Sequence, residues 1–276
     1  MRKVILQLKG SALKDSYFNR HFPCSAISLR EIITQGGIMF TEKIELKDLD
    51  KTDREYRDLL GRVLAIQADC EIGGPHLYVE KMLPAAPTKL DQLIVARTAA
   101  EEIDHFRKVA RVAGDMGVDV SFVLSQPNEK RFVDAFRGLI TTWEDNAVFG
   151  FLIDRVGRYQ LEEFSDCSYL PLQRILPDIV TEELGHIEYG YNKTCELLSK
   201  GDEQRERVQR AIDYWYVRAL DMFGHSGSKR AERYIFWGLK RRANEQARED
   251  YIREVNPILT SIGVRIPDPI KGRRFI

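Results

Sequence analysis

The sequence predicts an all-α chain: a four-helix core followed by two further helices. Apolar residues recur at helical spacing from Asp53 onward, and nothing before the tail sustains the alternation of a strand. Two segments that read as helix each carry Glu-x-x-His, at Glu102-Ile103-Asp104-His105 and Glu183-Leu184-Gly185-His186. Residues three apart share a helix face, so each motif aims a carboxylate and an imidazole the same way.

With Glu at about 1 position in 15, two such motifs among the five histidines would arise by chance in about 1 chain in 25. Spacing alone is therefore only suggestive, and helix phase adds more. At about 100° per residue, Glu102 and His105 share a stripe with Val95, Thr98, Phe106 and Val109. Arg97, Asp104, Arg107, Lys108 and Arg111 fall on other sides. Glu183 and His186 share their stripe with Leu172, Leu176, Ile179 and Ile187, whereas Arg174, Asp178 and Glu188 point away. Charge on a core stripe is costly unless it is paired or bound to a metal, and two such pairs favour a metal site.

Taken in order, residues 1–38 do not match the rest. Basic residues outnumber acidic ones there and no amphipathic period is sustained, so this stretch reads as an extension and 39–276 as the folded domain, starting at Met39. The first helix begins near Asp53, with Leu60, Leu64, Gln67 and Glu71 along one side and Asp58, Arg62 and Asp69 on another. Gly73-Gly74-Pro75 should loosen or kink it. Pro84-Ala85-Ala86-Pro87 makes a turn, and Thr88 is an N-cap for the helix bearing Glu102 and His105. Counted from that turn at about 1.5 Å per residue, Glu71 and Glu102 come to the same level within about 3 Å.

The second half repeats the plan. A helix over about 128–160 leads through a turn near 164–168 into the helix holding Glu183 and His186, with a kink expected at Pro177. Counting back puts a carboxylate near 144 or 145 at the level of Glu183. Glu144 and Asp145 both qualify by height, and the apolar run that follows leaves phase unable to choose. Further helices are expected over about 203–223 and 228–255, and 263–269 reads as extended.

Composition narrows the function. The 276 residues are 43% hydrophobic and 30% charged, with 42 basic against 42 acidic residues, which gives no reason to expect nucleic acid or an anionic membrane as partner. Cys24, Cys70, Cys167 and Cys195 are scattered, so a reducing, cytoplasmic setting fits best. No run approaches the roughly 18 apolar residues of a membrane helix.

Two carboxylate-bearing helices plus two Glu-x-x-His helices form the ligand set of the ferritin-like dimetal carboxylate proteins. Four carboxylates offset two divalent ions, and oxygen and nitrogen ligands without thiolate suit iron, or alternatively manganese. Over about 53–269 the chain resembles the catalytic subunit family of phenylacetyl-CoA epoxidase, the ring-oxidising monooxygenase of phenylacetate catabolism. The carriers are Cys70-Glu71-Ile72, Ala85-Ala86-Pro87-Thr88, Glu101-Glu102-Ile103-Asp104-His105, Trp143-Glu144-Asp145 with Gly150-Phe151-Leu152-Ile153-Asp154, and Glu182-Glu183-Leu184-Gly185-His186. Ala219 to Gly224 and Val264 to Pro269 extend it.

The resemblance implies a ferritin-like bundle and prefers Asp145 over Glu144, because the family has Trp-x-Asp on its third helix. The implied metal-binding and catalytic set is Glu71, Glu102, His105, Asp145, Glu183 and His186, holding two iron ions. It further implies a CoA-thioester substrate and a ferritin-like sister subunit whose own site is degraded. The chain lacks a dinucleotide glycine fingerprint and an iron–sulfur cysteine cluster, so electrons from NADPH are expected through a separate flavin/iron–sulfur reductase. The alternatives are a ferritin-like storage or peroxidase protein and a non-catalytic structural subunit. Gly73-Gly74-Pro75, Pro177 and His225-Ser226-Gly227 depart from the family pattern.

Overall fold

The structure, a computed structural model, describes residues 40–276 except Leu139. The reading of 1–38 lies outside those residues. Among the described residues the chain is helical, with one isolated bridge between Ile44 and Tyr169 in place of any strand. No described helix is long and apolar enough to cross a membrane.

Helix α1 is Arg54–Leu77, started by the Asp53 carboxylate, which accepts from the Glu55 N–H. Pro75 does not end it. The chain runs on through a π turn, Tyr78–Met82, and one last α turn, Leu83–Ala85. Proline offers no N–H to the carbonyl four residues earlier, which is that of Glu71, and the wider π turn follows at once. Helix α2 is Lys89–Asp115, capped by Thr88 as its sequence predicts.

Helix α3 is Trp143–Phe164, and α4 is Leu170–Leu198. The expected start of α3 near 128 is therefore corrected by fifteen residues. Thr142 and Asp145 form a reciprocal capping box that fixes the first turn, and the segment before it makes only short 3-10 turns at Asn128–Lys130 and Asp134–Arg137. That segment is tied to α1 by Asp69, which is fully buried rather than outward-facing. Asp69 pairs with the equally buried Arg131 at 2.7 Å and accepts from the Phe132 N–H. Pro177 sits on the exposed side of an uninterrupted α4.

Helix α5 is Asp202–Asp221, α6 is Lys229–Phe236 and α7 is Asn244–Ser261. The single helix expected over 228–255 is thus two, separated at Gly238, whose φ of 64° suits glycine. One apolar core forms around α3, α5 and α7. The other forms around α1, α2 and the first half of α4. Helices α3 and α4 approach so closely that Gly150 and Gly190 face each other, and a Cβ on Gly190 would lie 2.5 Å from the Gly150 carbonyl carbon.

Candidate metal centre

The stripes read from helix phase are the buried faces. Leu60, Leu64, Gln67 and Glu71 on α1, Val95 and Val109 on α2, and Leu172, Leu176 and Ile179 on α4 are all buried, and Glu102, His105, Glu183 and His186 lie among them. Antiparallel helices sharing one apolar interior bring these polar groups to one level. Glu71, Glu102, His105 and Glu183 offer ligand atoms all within 4.8 Å of one another. His186 joins them, its Nδ1 3.2 Å from Glu102 Oε1.

The imidazoles carry the clearest signal. His105 Nε2 is 2.7 Å from Glu182 Oε2, and His186 Nε2 is 2.9 Å from Glu101 Oε2. Each ring is therefore held by the residue preceding the other motif's glutamate, across the antiparallel pair α2 and α4. Both Nδ1 atoms are left buried without a hydrogen bond. They face carboxylates: His105 Nδ1 is 3.3 Å from Glu71 Oε2 and 3.6 Å from Glu183 Oε1, while His186 Nδ1 is 3.9 Å from Glu183 Oε2. Glu102 and Glu183 thus each turn one oxygen toward either ring. A buried imidazole Nδ1 that makes no hydrogen bond and is set among carboxylates is placed to give its lone pair to a metal ion in exchange for the proton it otherwise holds.

Asp145 does not join this group, and that expectation is corrected. It lies in the first turn of α3, where Oδ2 accepts from the Thr141 and Thr142 N–H groups and Oδ1 accepts from Trp215 Nε1 at 3.1 Å. Glu144 is not at the site either, being bound by Gln204 on α5. The α3 carboxylate at the right level is Asp154. It lies 10 residues before the end of α3 and Glu183 lies 13 after the start of α4, so their heights agree within about 5 Å. Asp145 is nine residues, about 14 Å, away along the helix. Asp154 lines one cavity with Glu71, Glu102 and Glu183, and accepts a hydrogen bond from the Tyr78 hydroxyl at 3.1 Å. One turn on, the Cα of Gly157 leaves room for Glu183, whose Oε2 would be 3.8 Å from a Cβ there.

Sequence reasoning also missed Glu101 and Glu182 as groups that orient the histidines. The doublets Glu101-Glu102 and Glu182-Glu183 were the available signal. Neighbours on a helix are about 100° apart, so the first glutamate of each doublet points beside the site, toward the facing helix.

Residues 38–274 match the model of the phenylacetic acid catabolic proteins. The chain belongs to that family. It is similar to a subunit of the 1,2-phenylacetyl-CoA epoxidase of Escherichia coli (strain K12), 27% identical over 219 residues that make up 78% of this chain and 70% of the relative. It is also similar to benzoyl-CoA oxygenase component B of Aromatoleum evansii, 24% identical over 222 residues, 70% of this chain and 46% of that protein.

In this member of the phenylacetic acid catabolic proteins the electrostatics of the site suit a bound cation. Burial raises Glu71 and Glu183 above the usual carboxylate range, and burial together with the Glu102 charge pushes Asp154 up to about 8. Burial also opposes the charge on Glu102, but His105 and His186 on either side outweigh it and bring Glu102 down to about 2. Burial disfavours charge on the two rings as well, yet the surrounding carboxylates raise His105 to about 11 and His186 to about 10. Three buried carboxylates and the half-buried Asp154 thus gather positive charge around them, and bound divalent cations would neutralise them with both rings uncharged.

The role of the outer glutamates is testable. Glu182→Ala frees the His105 ring to turn while leaving every proposed ligand in place, so metal affinity is expected to fall about 10- to 100-fold with the helical content unchanged. A metal titration with circular dichroism on the same samples reads both.

Proposed function

We propose that this chain is the metal-bearing subunit of an oxygenase that inserts one atom of O2 into the CoA thioester of an aromatic acid, phenylacetyl-CoA or a close analogue. The observation that carries this reading is the pair of buried imidazole Nδ1 atoms, neither making a hydrogen bond, that face one group of carboxylates. Family membership and relatives named as an epoxidase subunit and an oxygenase component support the choice of reaction. Glu71, Glu102, His105, Asp154, Glu183 and His186 would hold two iron ions, or manganese in their place. Those ions, reduced by electrons from NADPH through a separate flavin/iron–sulfur reductase, would supply the activation of O2.

The chain's own residues prepare the site for that chemistry. Glu182 and Glu101 hold the two rings by Nε2, so the Nδ1 atoms stay turned inward. Gln67 donates to Glu71 Oε1 and Tyr78 donates to Asp154, which fixes the two outer carboxylates. Burial and the neighbouring carboxylates raise Tyr78 well above the usual phenol range, so its hydroxyl stays a donor. Phe136, Ile153, Leu161 and Met222 line the cavity beside these groups and limit access of water. A CoA handle would supply remote binding energy to hold the acyl group against the metals. A ferritin-like sister subunit completes the proposed assembly.

Residues 39–276 are proposed to be the whole functional unit of this chain. A protein beginning at Met39 is expected to melt at the same temperature and bind as much iron as the full chain, and a large loss of either would show that 1–38 contributes to the fold. The reaction itself is tested with labelled O2, NADPH, reductase and sister subunit. Mass spectrometry should find one atom of the label in the thioester product. Oxygen drawn from water, or O2 consumption indifferent to the acyl-CoA, would overturn the reading, the latter in favour of a storage or peroxidase role.

A further inference from the structure

The cavity beside the candidate metal centre has about 40 Å³ of room for water. An apolar cavity that takes benzene is on the order of 150 Å³. An aromatic acyl group therefore enters only if part of the wall moves. Most of the lining is deeply buried, and the lining residues that reach solvent are Cys70, Asp154, Gly157, Gln160 and Met222. Three of these five, Asp154, Gly157 and Gln160, lie along one side of α3.

There two of the lining residues that reach solvent are joined, Gln160 Nε2 donating to the Met222 carbonyl at 3.4 Å, at the long end of the hydrogen-bond range. Met222 is the first residue beyond α5 and carries an unbranched, adaptable side chain. One helical turn past Gln160, Glu163 accepts the N–H groups of Arg241 and Arg242, both at 2.9 Å. That anchors the basic stretch Lys240-Arg241-Arg242 next to the mouth, with Arg241 exposed.

We propose that the Gln160–Met222 contact is the door of the cavity, through which an apolar acyl group enters while Arg241 takes the phosphate-bearing end of the same molecule. This rests on the proposed function for its substrate, but the door rests on geometry alone. Met222 then also limits the size of the acyl group, because its side chain forms the wall that must withdraw.

Cys70 lines the cavity and reports access to it. Labelling by methyl methanethiosulfonate, followed peptide by peptide, should speed up several-fold at Cys70 in Met222→Ala and slow in Met222→Trp, with Cys195 unchanged in both. Equal Cys70 rates in all three proteins, or a parallel change at Cys195 that marks general loosening, would overturn the door. Phenylacetyl-CoA should protect Cys70, and Arg241→Glu should raise the concentration needed about tenfold. The ordered Met222 rates without protection would keep the door and sink the substrate reading. Protection undiminished in Arg241→Glu would remove Arg241 from the proposal.

Discussion

Asp154→Asn is expected to abolish turnover and remove at least one metal ion per chain, while Asp145→Asn leaves metal content unchanged. The two carboxylates sit on one helix, yet their surroundings differ. Asp154 has a charged site before it and a single neutral donor, Tyr78, behind it. Asp145 accepts from two backbone N–H groups and two hydroxyls at Oδ2 and from the Trp215 indole at Oδ1, a set that engages both oxygens. Asp145→Ala should destabilise the fold by about 2–3 kcal/mol, through loss of the helix cap and an indole N–H left buried without an acceptor. Metal analysis and thermal melting of both variants separate the roles. Metal loss in the Asp145 variant, with Asp154→Asn unaffected, would reverse them.

Gly190→Ala is expected to be among the most damaging single-methyl changes in the chain. The new Cβ would press on Phe151 N, the Gly150 carbonyl carbon at 2.5 Å and Ala147 O at 2.9 Å, all backbone atoms that cannot turn aside. Helices α3 and α4 would have to separate, at a cost of about 3 kcal/mol or more. The separation falls one turn from both Asp154 and His186, so metal affinity should fall with stability. Gly150→Ala, whose Cβ would first meet Gly190 Cα at 3.4 Å, should cost far less. Urea unfolding of the two variants measures the difference, and equal midpoints would contradict the close crossing.

Much of this site was legible in the sequence because helix phase is a local property. The stripes through Glu71, through Glu102 and His105, and through Glu183 and His186 follow from residue spacing and needed no tertiary knowledge. The α1–α2 height match also worked, since Pro84 to Thr88 marks the turn closely. On α3 the same method failed because the count began from a helix end near 160, whereas the helix runs to Phe164, which moves the level of Glu183 along toward Asp154, and because a start near 128 made Asp145 look like an interior residue. Thr142-Trp143-Glu144-Asp145 has the spacing of a capping box and could have marked the true start. Asp154, a lone acid at the end of the apolar run from Ala147 to Ile153, would then have been the natural choice. What the sequence could not supply was the partner of each outer group. That Glu182 holds His105, Glu101 holds His186 and Arg131 neutralises Asp69 depends on which helix faces which, and no local pattern encodes it.

We propose that the buried glutamates and histidines of this one site would together hold two metal ions. Loading the protein anaerobically with ferrous iron and counting metal per chain tests it most directly. Two ions per chain are expected, with the count falling in His186→Ala and reaching zero when His105 is replaced as well, while the helical fold persists. No bound iron in the unaltered chain, or two ions retained after both histidines are gone, would contradict it.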